Sequence, residues 1–151
     1  MQAIPSRKSD VITFTGLIQT CGAVGHIEDA AFLFKHMQLI CAPNVRTCNE
    51  MIKIYGRNHL FEEAKMIYEG VKKGSFESCI FFDKTNRLHC DSFTFELMLK
   101  AAAISQQWAY FHRVYKNMTS QGFFLSGKTS LWVMMKVAKL KQVRGLLFYG
   151  W

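Results

Sequence analysis

A phrase near the start of the chain, Val11-Ile12-Thr13-Phe14-Thr15, returns as Val45-Arg46-Thr47-Cys48-Asn49 and, more faintly, as Ser92-Phe93-Thr94-Phe95-Glu96. Thr13, Thr47, Thr94 and Thr129 are 34, 47 and 35 residues apart, and the same steps join Asp10, Asn44, Asp91 and Ser126. The pairs Leu17-Ile18, Met51-Ile52, Met98-Leu99 and Val133-Met134 keep this register. A period in the mid-thirties carried by helically spaced apolar residues predicts an all-α fold, a solenoid of stacked helix pairs, because one pair cannot bury its apolar face alone.

The register divides the chain. Residues 1–10 read as the end of a preceding repeat, 11–44 as repeat 1 and 45–91 as repeat 2. Residues 92–126 read as a degenerate repeat 3 and 127–151 as a partial repeat 4. Because Asp10 sits at a repeat-ending position and Leu146 to Trp151 are largely apolar, the chain is expected to be a segment of a longer solenoid. In repeat 1 helices are predicted over about 12–23 and 27–39, joined by a turn at Gly22-Ala23-Val24-Gly25-His26 where glycine frees the backbone to reverse. Ala30, Leu33, Phe34 and Met37 form one apolar stripe. Pro43 breaks the chain before Asn44, which is suited to cap the next helix. Helices over 46–57 and 61–73 follow in repeat 2, and over 93–104 and 107–121 in repeat 3. Trp108, Phe111 and Tyr115 recur at helical spacing and read as core rather than as a base-stacking platform. The long second step comes from about a dozen extra residues within 74–90, an inserted loop whose run Cys79-Ile80-Phe81-Phe82 either docks on neighbouring helices or forms an edge for a protein partner.

Composition narrows the function classes. Half of the 151 residues are apolar, two are proline, and nineteen basic against eleven acidic side chains give a charge of +8, suited to a polyanion. The five cysteines lack metal-ligand spacing and read as reduced, mostly buried thiols; Cys48, in the register of Phe14 and Phe95, reads as core. The histidines are scattered, so no metal site and no cofactor are expected. No apolar run reaches the roughly 18 residues of a membrane span. Neither a phosphate loop, a nucleophile elbow nor a zinc-activated water motif is present, so neither catalysis nor a small-molecule substrate is expected.

Val11 to Ile18, Gly25-His26-Ile27-Glu28-Asp29-Ala30, Leu33-Phe34, Met37 and Pro43-Asn44, with Val45 to Ile52 and Phe61-Glu62-Glu63-Ala64, resemble the pentatricopeptide repeat of plant organellar proteins, of the P type. The resemblance is strongest over 10–73 and fades beyond 127. It implies a superhelix whose first helices line a groove for single-stranded RNA, each repeat addressing one base through two or three side chains. It places base reading at the fifth and last residue of a unit: Thr15 with Asn44, Asn49 with Asp91, and Glu96 with Ser126. The first pair implies adenine and the second uracil, whereas Glu96 departs from the pattern. Asn44 and Asp91 read equally well as plain helix caps. By spacing, Ile12, Arg46 and Phe93 share the groove-facing side with Thr15, Asn49 and Glu96, and Lys53 and Lys100 lie one turn further on. Stacking or phosphate contact is expected of these five. The resemblance also implies a plastid or mitochondrial location, though no transit segment is visible, and a role in organellar transcript processing, stabilisation or translation. The alternative is a helical adaptor that binds proteins and reads no RNA.

Overall fold

The computed structural model describes the backbone of residues 3–149 and the side chains of residues 8–140. Seven helices follow one another: α1 (Ala3–Val24), α2 (Ile27–Met37), α3 (Val45–Arg57), α4 (Phe61–Lys73), α5 (Ser92–Ile104), α6 (Trp108–Ser120) and α7 (Gly127–Tyr149). The fold is therefore all-helical among the described residues, in the hairpin order that the period demands. The largely apolar terminus, Leu146 to Trp151, lies outside the described side chains.

Each hairpin turns in the same way. The fifteenth residue of each unit, Gly25, His59 or Gln106, is left-handed, with φ of 80°, 60° and 57°. The next amide reaches back to the helix it leaves: His26 N to Cys21 O at 2.9 Å, Leu60 N to Tyr55 O at 3.0 Å, and Gln107 N to Ala102 O at 2.8 Å. These bonds satisfy carbonyls that the helix end would leave orphaned. Gly25, not Gly22, therefore makes the first reversal. Gly22 lies inside α1, where a Cβ would come 2.6 Å from Ile54 Cγ1; the equivalent Gly56 would bring a Cβ to 2.9 Å from Ala101 Cβ. A small residue at the twelfth position thus lets α1 approach α3 and α3 approach α5, and the odd-numbered helices stack as one layer.

The core fills the space between that layer and α2, α4 and α6. Phe34, Met37, Cys48, Met51, Ile52, Tyr68, Phe95, Met98 and Leu99 are all buried. Phe61 and Tyr110 meet edge to face at 5.4 Å, and Tyr68 crosses Phe95 at 6.2 Å and Tyr110 at 6.4 Å. Burial of each such ring contributes on the order of 1.5–3 kcal/mol. Burial also pushes the Tyr68 hydroxyl up to about 12, against a hydrogen bond from Asn117 that pulls the other way. In α6 the buried side chains are Tyr110, Val114 and Met118, whereas Trp108 and Phe111 are half-buried and Tyr115 is exposed. The expected core stripe is thus shifted. Tyr68 of α4 is covered by α5 and α6, but no described helix covers the corresponding side of α6.

One boundary differs from the sequence reading, and the insertion takes the docked course of the two that reading left open. Helix α1 runs unbroken through Asp10, so no repeat-ending turn lies there. The extra residues after α4 are no free edge. Gly74, at φ 99°, ends α4; Phe76 then lies against Gly70, leaving no room for a Cβ there, and meets Phe34 edge to face at 5.7 Å. Ser78 Oγ donates to Gln38 Oε1 at 2.6 Å, and Cys79 Sγ to Cys41 O at 3.6 Å. Cys79 and Leu88 are buried and Phe81 and Phe82 half-buried, so Ile80 alone of the 79–82 run stands out into solvent. The insertion fills the wedge between α2 and α4.

Candidate nucleic-acid interface

At each junction between units, three side chains converge. Asn44 caps α3, its Oδ1 accepting from Thr47 N and Thr47 Oγ1, both at 2.9 Å. Thr47 Oγ1 lies 2.7 Å from Thr15 Oγ1, so the fifth residue of unit one, its last residue and the third residue of unit two form one cluster. Thr15 is buried, and its hydroxyl is also 2.6 Å from Val11 O. The outward polar group of this first cluster is thus the exposed Asn44 amide.

The second cluster repeats the plan with Asn49, Asp91 and Thr94. Asp91 Oδ1 accepts from Thr94 N at 2.8 Å, Thr94 Oγ1 at 2.9 Å and Asn49 Nδ2 at 3.2 Å. Thr94 Oγ1 also lies 2.8 Å from Asn49 Oδ1, and Asp91 N donates to Thr94 Oγ1 at 3.2 Å, closing a capping box. Asn49 and Asp91 meet although 42 residues separate them. Next to Asp91, burial pushes the Cys90 thiol up to about 11.

In the third cluster Glu96 Oε1 accepts from Ser126 N at 2.9 Å and Glu96 Oε2 from Thr129 Oγ1 at 3.2 Å. Asn44, Asp91 and Ser126 are therefore caps and members of interhelical clusters at once. The role of Thr47, Thr94 and Thr129 as buried links was not anticipated. Its signal was present, since threonine returns at these positions in the same steps as the caps.

Beside the clusters, Ile12 and Phe93 are 69% and 67% exposed, although both are large and apolar, and Arg46 at the same register is exposed too. Lys53 pairs with Glu50 at 3.1 Å, while Lys100 and Arg46 make no ion pair among the described residues. Lys53, Arg57, Lys100 and Trp132 line a cleft of about 260 Å³ between α3, α5 and α7, with no acidic side chain in its wall. Lys136 lies 5.3 Å from the centre of the Trp132 ring. Arg57 and Trp132 were not singled out from the sequence, because the first sits one turn beyond the followed face and the second in the unit where the period fades. Among the described residues no group of three or more histidine, cysteine or acidic side chains is placed to hold a metal, and no helix is long and apolar enough to cross a membrane.

Helix hairpins stacked with a common turn, a common small-residue contact and a common capping cluster define an α-solenoid repeat protein. The sequence profile of the PPR repeat matches residues 12–40 and 46–76. Pentatricopeptide repeat-containing protein At1g30610, chloroplastic, of Arabidopsis thaliana is 33% identical over 134 residues, which are 89% of this chain and 13% of that protein. Pentatricopeptide repeat-containing protein At5g67570, chloroplastic, of the same plant is 39% identical over 112 residues, 74% of this chain and 13% of that protein. The chain belongs to the pentatricopeptide-repeat family, whose members are in general organellar RNA-binding proteins, and it spans about an eighth of the length of these relatives. Both relatives are named chloroplastic, in agreement with the organellar location that the family resemblance implies.

Proposed function

We propose that the chain binds single-stranded RNA along the face formed by α1, α3, α5 and α7, one base per unit, without catalysing a reaction. The observation that carries this reading is the recurrence of a polar cluster beside an exposed second residue: Asn44 and Thr15 near Ile12, Asn49 and Asp91 near Arg46, Glu96 near Phe93. Small amide and carboxylate groups held rigidly by a cap present fixed donors and acceptors to an unpaired base edge. An exposed phenyl or guanidinium next to them offers a stacking surface, and Lys53, Arg57 and Lys100 supply positive charge for phosphates. Thr15 acts through Thr47 and Asn44 rather than by direct contact, since its hydroxyl is buried.

In this reading the protein acts in the plastid by covering a transcript, which protects it or exposes a neighbouring site for processing or translation. The adaptor alternative is less well supported, because the insertion is docked rather than offered.

Fluorescence anisotropy with a labelled single-stranded RNA, titrated with salt, tests this. Three phosphate contacts predict a slope of log K against log salt of about −2. Lys100→Glu should weaken binding about tenfold, and Asn49→Ala should weaken it while narrowing the difference between A–U strands and others. An affinity indifferent to salt and to both substitutions sinks the RNA reading.

A further inference from the structure

The three clusters differ in what they leave for a ligand. At the second, the Asn49 amide and the Asp91 carboxylate present donor and acceptor together. At the third, the hydrogen bonds run in one direction. Ser126 Oγ donates to Thr129 Oγ1 at 3.0 Å, Thr129 Oγ1 donates to Glu96 Oε2, and Ser126 N donates to Glu96 Oε1. Thr129 N is used as well, donating to Ser126 Oγ at 3.2 Å. Every donor of the cluster is turned inward onto its own members. What remains is the set of unused lone pairs on a carboxylate whose orientation is fixed from both oxygens, and which makes no ion pair among the described residues.

We infer that the third unit selects guanine, with the Glu96 carboxylate as the residue that sets the preference. This rests on the RNA-binding reading given above and specifies it. An acceptor-only site favours a base edge with adjacent donors and repels one with acceptors. Guanine presents N1–H and N2–H₂ side by side on its Watson–Crick edge. Uracil offers N3–H flanked by two carbonyl oxygens. Adenine and cytosine each set one amino group beside an unprotonated ring nitrogen that would face the carboxylate. The exposed Phe93 ring, three residues before Glu96 on the same helix face, adds a platform that a purine overlaps more fully than a pyrimidine. With no ion pair among the described residues, the carboxylate also repels the RNA backbone whatever the base, so a base that brings it no donors leaves that repulsion uncompensated.

The experiment uses the full chain, at neutral pH and low salt, with labelled single strands that contain AUX in either order, X being G, A, C or U. Binding of the guanine strand should be at least about fivefold tighter than that of the uracil strand, the range of one good paired contact. In Glu96→Gln the preference should fall below about twofold while the uracil strand binds as well as before or better, a gain that a misfolded variant does not give. Equal affinity for all four strands, with steep salt dependence retained, overturns the guanine inference and leaves the RNA reading standing. Absence of salt-dependent binding to any strand overturns both. A guanine preference that survives Glu96→Gln overturns the assignment to Glu96.

Discussion

The two joints that deliver caps to α3 and α5 make an instructive pair. Between α2 and α3 the chain takes residues 38–44; between α4 and α5 it takes 74–91 and fills a wedge on the way. Yet the caps arrive in the same place, with Asn44 Oδ1 at 2.9 Å from Thr47 N and Asp91 Oδ1 at 2.8 Å from Thr94 N. A cap is held by the helix it begins, through the free amides of that helix's first turn, so its position is independent of the length of chain that leads to it. A site built on caps therefore tolerates insertions that would disrupt a site built on loops. The extra residues of the second joint act elsewhere, between α2 and α4.

The comparison breaks most visibly at Phe76. Phe76→Ala removes the ring between Phe34 and Gly70 and is expected to cost about 2–4 kcal/mol in chemical denaturation. Nuclear magnetic resonance of the Asn49 side-chain amide should show little change. If that signal moves to a solvent-like position, the cap does depend on the insertion.

Caps come next. Asp91→Ala is expected to destabilise by about 1–2 kcal/mol, and Asn44→Ala by about 1 kcal/mol. The larger figure follows from the Asn49 amide that Asp91 also holds. Equal losses would mean that the Asn49–Asp91 bond contributes nothing measurable.

The hairpin turns sharpen the contrast between units, because Gly25 meets the left-handed conformation without strain and His59 does not. His59→Gly and Gln106→Gly should each raise stability by about 1 kcal/mol in thermal melts, whereas Gly25→Ala should lower it by a similar amount.

The smallest expected effect is in pH. The folded pKa of Cys90, about 11 against an ordinary 9.0, is raised, so its contribution is full below pH 9.0 and is lost as pH rises through 11. Tyr68 acts in the same direction between its ordinary 10.0 and about 12. Melting temperature should decline over that range, less steeply in Cys90→Ser. An unchanged slope in that variant would mean that Cys90 makes no difference to the second joint.

Much of this was legible beforehand. The threonine, cap and apolar-pair registers each pointed to helix hairpins, and Asn44 and Asp91 read as caps because a short polar side chain before an apolar run has little else to do. The docking of Phe76 was less legible, since a half-buried aromatic within a polar loop has no periodicity of its own. The shift of the α6 stripe to Tyr110 was hidden for another reason: periodicity gives the spacing of a face, whereas the neighbours decide which face is covered. Glu96 looked like an interruption because its partners, Ser126 and Thr129, lie about thirty residues further on.

The sequence by itself determined the hairpin period and the caps, because each is written in local residue spacing or in backbone chemistry confined to a helix end. Only the tertiary structure decided that cap, fifth residue and threonine converge from successive units, and which of their polar atoms remain free. Those contacts join helices distant in sequence, and hydrogen-bond direction is set by all the partners together rather than by any one residue.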